Sequence, residues 1–228
     1  MIKKVLPHWI PIFPLPNAVL LPRTILPLHI YEPRYREMTE DVLSGRRFMA
    51  IALLKPGYEA AYHTLDAKVC EIVGVGRVLR DERLPDGRFN LLLQGHYRTR
   101  IIEERKDRVY RQGRLEVIEP IAPQPEQECA VRRRLRELLN SSSLASWAKE
   151  ANWNELFACS AYSLSDVVDV IASSLVKRPE DRQCFLEELC VERRARCICS
   201  ALTVLSEQLA QAAATRRARP WPPTDSCN

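Results

Sequence analysis

The sequence predicts an α+β protein: a β-rich first half holding one helix, then an all-helical second half. Three observations predict it. All seven glycines lie at or before Gly113. Prolines punctuate the chain as far as Pro125, yet between Glu126 and Arg219 only Pro179 remains. Cysteine shifts the other way, with Cys70 alone in the first half and seven of the eight cysteines after it. The step falls at Pro120-Ile121-Ala122-Pro123-Gln124-Pro125, which reads as an extended connector. The expected units are a β subdomain at 1–120, a helical bundle at 121–214 and a frayed tail at 215–228.

The first half opens with Ile10–Phe13, Val19–Leu21 and Ile25–Ile30, short apolar runs between prolines that suit edge or barrel strands. Glu32-Pro33 starts a helix, because proline fits the first helical position. Tyr35, Met38 and Val42 then form one buried stripe, and Gly45 closes it. Phe48–Leu54 is a continuous apolar strand, and Val69–Val73 and Val75–Leu79 are strand candidates around Gly74 and Gly76. Leu84-Pro85-Asp86-Gly87-Arg88 supplies the residues of a hairpin loop. In the strand that follows, Phe89, Leu91 and Leu93 share one face, and Arg108–Ile118 reads as the last strand.

In the second half, Glu126–Asn140 places Val131, Leu135, Leu138 and Leu139 at helical spacing. A serine-rich turn at Ser141–Ser143 precedes a helical stretch from Trp147 to Ala161, broken near Asn152. Ser163 and Asp166 have the spacing of a capping box opening Val167–Val176. Pro179-Glu180-Asp181 starts another helix, with acids at its positive end. The helical pattern then runs to about Ala213.

At 228 residues the chain hides roughly 70–75% of its extended surface when folded, so it builds a core without staples. With 46% hydrophobic and 28% charged residues it is neither disordered nor collagenous. The net charge of +5 is spread out, which does not by itself demand nucleic acid. Lys3 and Lys4 precede an apolar stretch, but Pro7, Pro11, Pro14, Pro16, Pro22 and Pro27 interrupt it, so a signal segment or membrane helix is not expected. The expected compartment is the cytoplasm, with reduced cysteines.

Catalytic patterns are sparse. No two glycines have the spacing of a phosphate-binding P-loop, and no serine sits in a nucleophile elbow. His8, His29, His63 and His96 include no pair four apart, so a helical zinc pair is missing. Cys190, Cys197 and Cys199, with Cys184 nearby, lie in a helical pattern where Cys197 and Cys199 point about 200° apart. They read as small buried hydrophobes. No cofactor and no metal are expected. Along the hairpin strand, His96, Arg98 and Arg100 alternate and with Arg88 could form a basic face for an RNA backbone. A solvent-facing strand is the plainer reading. Trp9, Phe13 and Tyr31 read as packing aromatics.

Pro14-Leu15-Pro16, Val19-Leu20-Leu21-Pro22 and the run from Leu26 through His29-Ile30-Tyr31-Glu32-Pro33-Arg34 to Tyr35 resemble the opening of the Lon protease N-terminal (substrate-binding) domain. Leu84–Arg88 with Gly95 and Arg98, and the stretch around Pro179, Arg182-Gln183 and Leu186-Glu187-Glu188, resemble later parts of that family. Arg23 stands where many members have glycine. The resemblance implies a distorted PUA-like β-barrel followed by a helical bundle, with a break near Leu189–Val191. It implies a stand-alone, bacterial-type member without ATPase or peptidase domains, hence no enzyme. The implied function is binding of unfolded polypeptide or a protein partner in an apolar groove between barrel and helices, with Tyr31, Arg34, Tyr35, Arg88, His96, Arg98 and Arg100 as candidate contacts. Glu32 is also expected to accept backbone or Arg34 donors at the helix start, with Arg34 and Tyr35 bracing helix against barrel. The alternative is nucleic-acid binding through the basic face. No membrane partner is expected.

Overall fold

A computed structural model describes residues 6–150, 153–158 and 162–218. Among these residues six strands come first: β1 (Ile10–Leu15), β2 (Ile25–Ile30), β3 (Phe48–Leu53), β4 (Ile72–Arg83), β5 (Phe89–Arg105) and β6 (Arg111–Val117). Helix α1 (Pro33–Ser44) lies between β2 and β3, and a single 3₁₀ turn (Glu59–Ala61) lies between β3 and β4. Among the described residues six helices follow: α2 (Pro125–Leu139), α3 (Ala145–Glu150), α4 (Trp153–Ala158), α5 (Leu164–Leu175), α6 (Pro179–Glu187) and α7 (Val191–Ala218).

Strand pairing turns back on itself. The ladder runs β2-β5-β4-β3-β1-β6, and β6 also pairs with β5. Ile10 meets Gly113 on one side of β6, while Ile101 meets Leu115 on the other. Among the described strands only β1 and β3 run parallel, with Ile12 beside Ala50. Parallel neighbours need a crossover, and the segment containing α1 provides it. Bulges at Val75/Gly76, Val78/Arg80 and Ile101/Glu103 interrupt the long strands.

Both faces of β3 are buried, which explains its unbroken apolar run. Met49 and Ile51 pack with Tyr35, Met38 and Val42 of α1. Ala50 and Ala52 pack with Ile10, Ile12, Val73 and Val75 on the other side. Helix α1 spans the expected residues; proline occupies its first turn and Gly45 Nα donates to the Val42 carbonyl at its end. The hairpin also forms as expected, with Leu84 Nα donating to the Arg88 carbonyl at 2.8 Å.

Val19–Leu21, expected as a strand, is a buried loop. Pro16 and Pro22 flank it and deny it a regular ladder. The loop lies directly on the sheet: a Cβ on Gly74 would sit 1.9 Å from the Leu20 carbonyl oxygen, and one on Gly95 would sit 2.1 Å from that of Leu21. Those two positions accept no side chain. The turn that follows places Arg23 at φ 64°, the left-handed region that glycine prefers. Arg23 Nα donates to the Gly95 carbonyl at 2.8 Å, and its side chain meets Asp166 at 3.1 Å. The two candidate strands around Gly74 and Gly76 merge into β4, while Val69 forms an isolated bridge to Leu54.

The helices follow the reading closely. Ser163 and Asp166 cap α5 reciprocally. A break between Glu187 and Val191 separates α6 from α7. Helix α7 continues to Ala218, so Thr215–Ala218 of the expected tail is helical. The remainder of the tail, the expected break at Asn152 and the expected helix end at Ala161 lie outside the described residues. The two halves share a core: Val19, Leu21 and Leu53 pack with Leu135, Trp153, Ile171 and Leu202. Ile121 bridges to Cys190, tying the connector to the start of α7.

Candidate functional site

Among the described residues, strand β2 is hydrogen-bonded on one side only, by β5, which is why it tolerates Pro27. Its alternation turns Ile30 inward and leaves Ile25, Pro27 and His29 exposed. Register sets Pro27 beside Leu92 of β5, and Leu92 beside Arg80 of β4. Leu91 and Leu93 are buried behind the sheet, whereas Leu92 is 38% exposed and Ile25 is 49% exposed. Leu79, the extra residue of the Val78/Arg80 bulge, is 53% exposed. Pro27, His29, Arg80, Glu82 and Leu92 border a groove of about 610 Å³ across the three strands.

A polar chain crosses the end of this groove. Arg88 Nε bonds to Asp86 at 2.6 Å, and its Nη1 lies 3.4 Å from His29 Nε2. His29 Nδ1 lies 2.8 Å from Asn90 Oδ1, and Asn90 donates to Glu82 at 2.9 Å. An arginine can only donate and an amide oxygen can only accept, so this arrangement puts the His29 proton on Nδ1. The Tyr31 ring stacks on His29 with centroids 6.4 Å apart and is 60% exposed. Tyr31 therefore does not pack the interior, as the aromatic reading expected. With Arg88 it flanks His29, which lines the groove.

Arg34 and Tyr35 are placed differently. Arg34 pairs with Glu32 at 2.9 Å, donates to the Tyr62 carbonyl at 3.1 Å and stacks over Tyr35 with its guanidinium carbon 4.4 Å from the ring centroid. Tyr35 is buried, and burial pushes its phenol up to about 12 despite the opposing charge of Arg34. This cluster ties the start of α1 to the loop after β3.

The expected basic face of His96, Arg98 and Arg100 does not form as a single surface. Arg100 is exposed, but Arg98 is only 3% exposed. Its Nη1 and Nη2 bond to Asp169 at 2.7 and 2.6 Å, and its Nε donates to the Leu186 carbonyl at 3.1 Å. Asp169 also accepts from Arg194, whose Nη2 reaches Ser165 at 2.8 Å. Because α5 and α7 cover this part of β5, alternation along the strand no longer implies contact with solvent. His96 is half-buried against Phe48, with centroids 6.0 Å apart. Its buried Nε2 has no hydrogen-bond partner among the described residues. Burial lowers the His96 pKa from its ordinary value, and Arg23 and Arg77 add to the effect.

At the junction of strands and helices lies a recess of about 350 Å³. Arg23, His96, Arg98, Ser163 and Asp166 line it, so it is largely polar rather than an apolar cleft. Sequence reasoning missed Asp169 and Arg194. The available signal was an acid inside Val167–Ile171, an otherwise apolar helix segment. Among the described residues, no cluster of His, Cys, Asp and Glu has the arrangement to hold a metal ion. Cys184 and Cys197 are exposed rather than buried, and Cys190 and Cys199 are intermediate. No helix among the described residues is long and apolar enough to cross a membrane.

Comparison with known proteins adds the decisive observation: residues 9–204 match the ATP-dependent protease La (LON) substrate-binding domain. The chain belongs to this family. Similar curated proteins include the Lon protease of Dictyoglomus thermophilum, 31% identical over 135 residues, covering 59% of this chain and 16% of that protein. Lon protease 2 of Herpetosiphon aurantiacus is 27% identical over 194 residues, covering 82% of this chain and 23% of the relative. The chain thus spans under a quarter of the length of these relatives, and the family match is to the substrate-binding portion. Solved structures show the same fold. The N-terminal domain of Mycobacterium avium complex Lon protease superimposes with a TM-score of 0.63 at 14% identity, covering 86% of this chain and 98% of that one. A Lon N-terminal domain protein from Xanthomonas campestris gives 0.56 at 21% identity, covering 84% and 97%.

Proposed function

We propose that the chain is a non-enzymatic module that holds unfolded polypeptide against the β2–β5–β4 face, acting in the cytoplasm. The observation that carries this reading is the set of apolar side chains left in water on these three strands, Ile25, Leu79 and Leu92, of which Leu92 lines the groove with Pro27. Membership of a substrate-binding family supports it. We read the ring of paired strands as a PUA-like barrel spanning 1–120, and residues 121–214 as the bundle that buttresses it. Partial apolar burial on an open face gives affinities on the order of micromolar, with weak sequence preference. Nucleic-acid binding through the basic face is the weaker reading, because Arg98 is committed to Asp169 and Arg88 to Asp86.

Photocrosslinking tests the proposal. A reduced, alkylated model protein is expected to crosslink to the β2–β5–β4 face, and its folded form is not. Equal crosslinking of the two forms overturns the reading.

A further inference from the structure

A second groove lies wholly within the helical half, between the end of α5, the face of α6 and the first turns of α7. Its volume is about 670 Å³, within the range of roughly 300–1,000 Å³ typical of ligand sites. Leu175, Val176 and Phe185 form its apolar wall. Lys177, Arg178 and Arg193 stand on its rim, and Arg194 lines its floor.

The charge around this groove is unbalanced. Arg98 and Arg194 share the single carboxylate of Asp169, so the buried triad carries one excess positive charge. Arg194 Nε is buried and has no hydrogen-bond partner among the described residues. Of the two acids on the rim, Glu188 already accepts from Cys190 Nα at 2.8 Å and meets Arg193 at 3.4 Å. Asp181 is 3.9 Å from Arg178, a loose pair on an exposed surface. Glu180 lies 3.6 Å from Arg178, so with Asp169 four acids answer five cations, Arg98 included, and one positive charge is left over beside the apolar wall. This lining suits a ligand that joins a carboxylate to an apolar group.

We infer that this groove binds the C-terminal end of a polypeptide. The terminal carboxylate lies among Lys177, Arg178 and Arg193, and an apolar terminal side chain lies on Leu175, Val176 and Phe185. Asp181 and Glu188 offer acceptors to peptide N–H groups, which a fatty acid lacks. The inference rests on the reading of the chain as a polypeptide binder, and it adds an end-specific site to the face that takes extended segments.

The test uses the full chain and a fluorescein-labelled peptide ending in three leucines, prepared as free acid and as C-terminal amide. By anisotropy the acid is expected to bind about tenfold more tightly than the amide. In the double variant Lys177→Gln/Arg178→Gln that preference is expected to vanish while the thermal midpoint stays unchanged, since both side chains are exposed. Equal affinity of acid and amide overturns the inference, as does a preference that survives in the double variant. Displacement of the acid peptide by equimolar decanoate also overturns it, in favour of a fatty-acid site. If an unfolded protein still binds when acid and amide do not differ, this inference alone falls. If the unfolded protein does not bind either, the reading beneath it falls too.

Discussion

Arg98 on β5 grips Asp169 on α5 through two hydrogen bonds of 2.7 and 2.6 Å, both side chains almost fully buried. This fork joins the two halves of the chain, and Arg194 of α7 closes on the same carboxylate. Removing one member of a buried ion pair strands the other charge, typically at a cost of about 3–5 kcal/mol. The three members are not equivalent. Asp169→Asn leaves two buried cations unpaired, whereas Arg98→Met leaves Asp169 paired with Arg194. Asp169→Asn is therefore expected to destabilise the fold by at least about 3 kcal/mol, and Arg98→Met by distinctly less. Urea unfolding of both variants measures the order, and the reverse order contradicts this account.

Gly95→Ala tests how closely the Leu20–Leu21 loop lies on the sheet. The added methyl would meet the Leu21 carbonyl at 2.1 Å, and backbone on both sides leaves little room to yield. Overpacking of this kind costs about 1–3 kcal/mol, occasionally more. A loss at the upper end is expected in thermal or chemical unfolding. Arg23, one turn away, offers a contrast. Its left-handed backbone favours glycine, so Arg23→Gly is expected to be more stable than Arg23→Ala by about 1 kcal/mol.

Leu92→Asp addresses binding rather than stability. Leu92 is partly in water and borders the sheet groove, so a charge there removes apolar contact surface without opening the core. Affinity for a reduced, unfolded model protein is expected to fall about tenfold, with the thermal midpoint nearly unchanged. Titration by anisotropy and a melting curve separate the two effects.

His96 gives the fold a pH dependence of definite sign. Burial, then Arg23 and Arg77, hold its folded pKa below the ordinary value of 6.5. The unfolded chain therefore binds the proton more readily than the folded one. The His96 contribution is fully present above about pH 6.5 and is lost as the pH falls from there through the lowered folded value. Stability measured between pH 7 and pH 5 is expected to decline less steeply in His96→Gln than in the unaltered chain.

Much of the fold was legible because its signals are local. The proline and glycine distribution marked the two halves, Pro33 and Gly45 bounded α1, and Ser163 with Asp166 marked the start of α5. Val19–Leu21 misled because an apolar run between prolines looks the same whether it pairs as a strand or lies buried across one. Arg98 misled for a related reason: alternation sorts a strand into two faces, but it does not say that helices from residues 71 and 96 positions later will cover one of them. The Tyr31–His29–Arg88 grouping depends on the register of β2 against β5, which hydrophobic pattern alone leaves open. Glu32 and Arg34, two residues apart, lay within local reach, and their pairing was anticipated.

The return of β6 to β1 bears on how the chain acquires its shape during synthesis. Ile10 waits for Gly113 before its outer edge is covered, so a ribosome must deliver 103 further residues before the ring can shut. Contacts this distant along the chain slow folding. The nascent β1 edge is therefore exposed to stray pairing throughout that interval, and a chaperone that shields it would raise the yield of native protein.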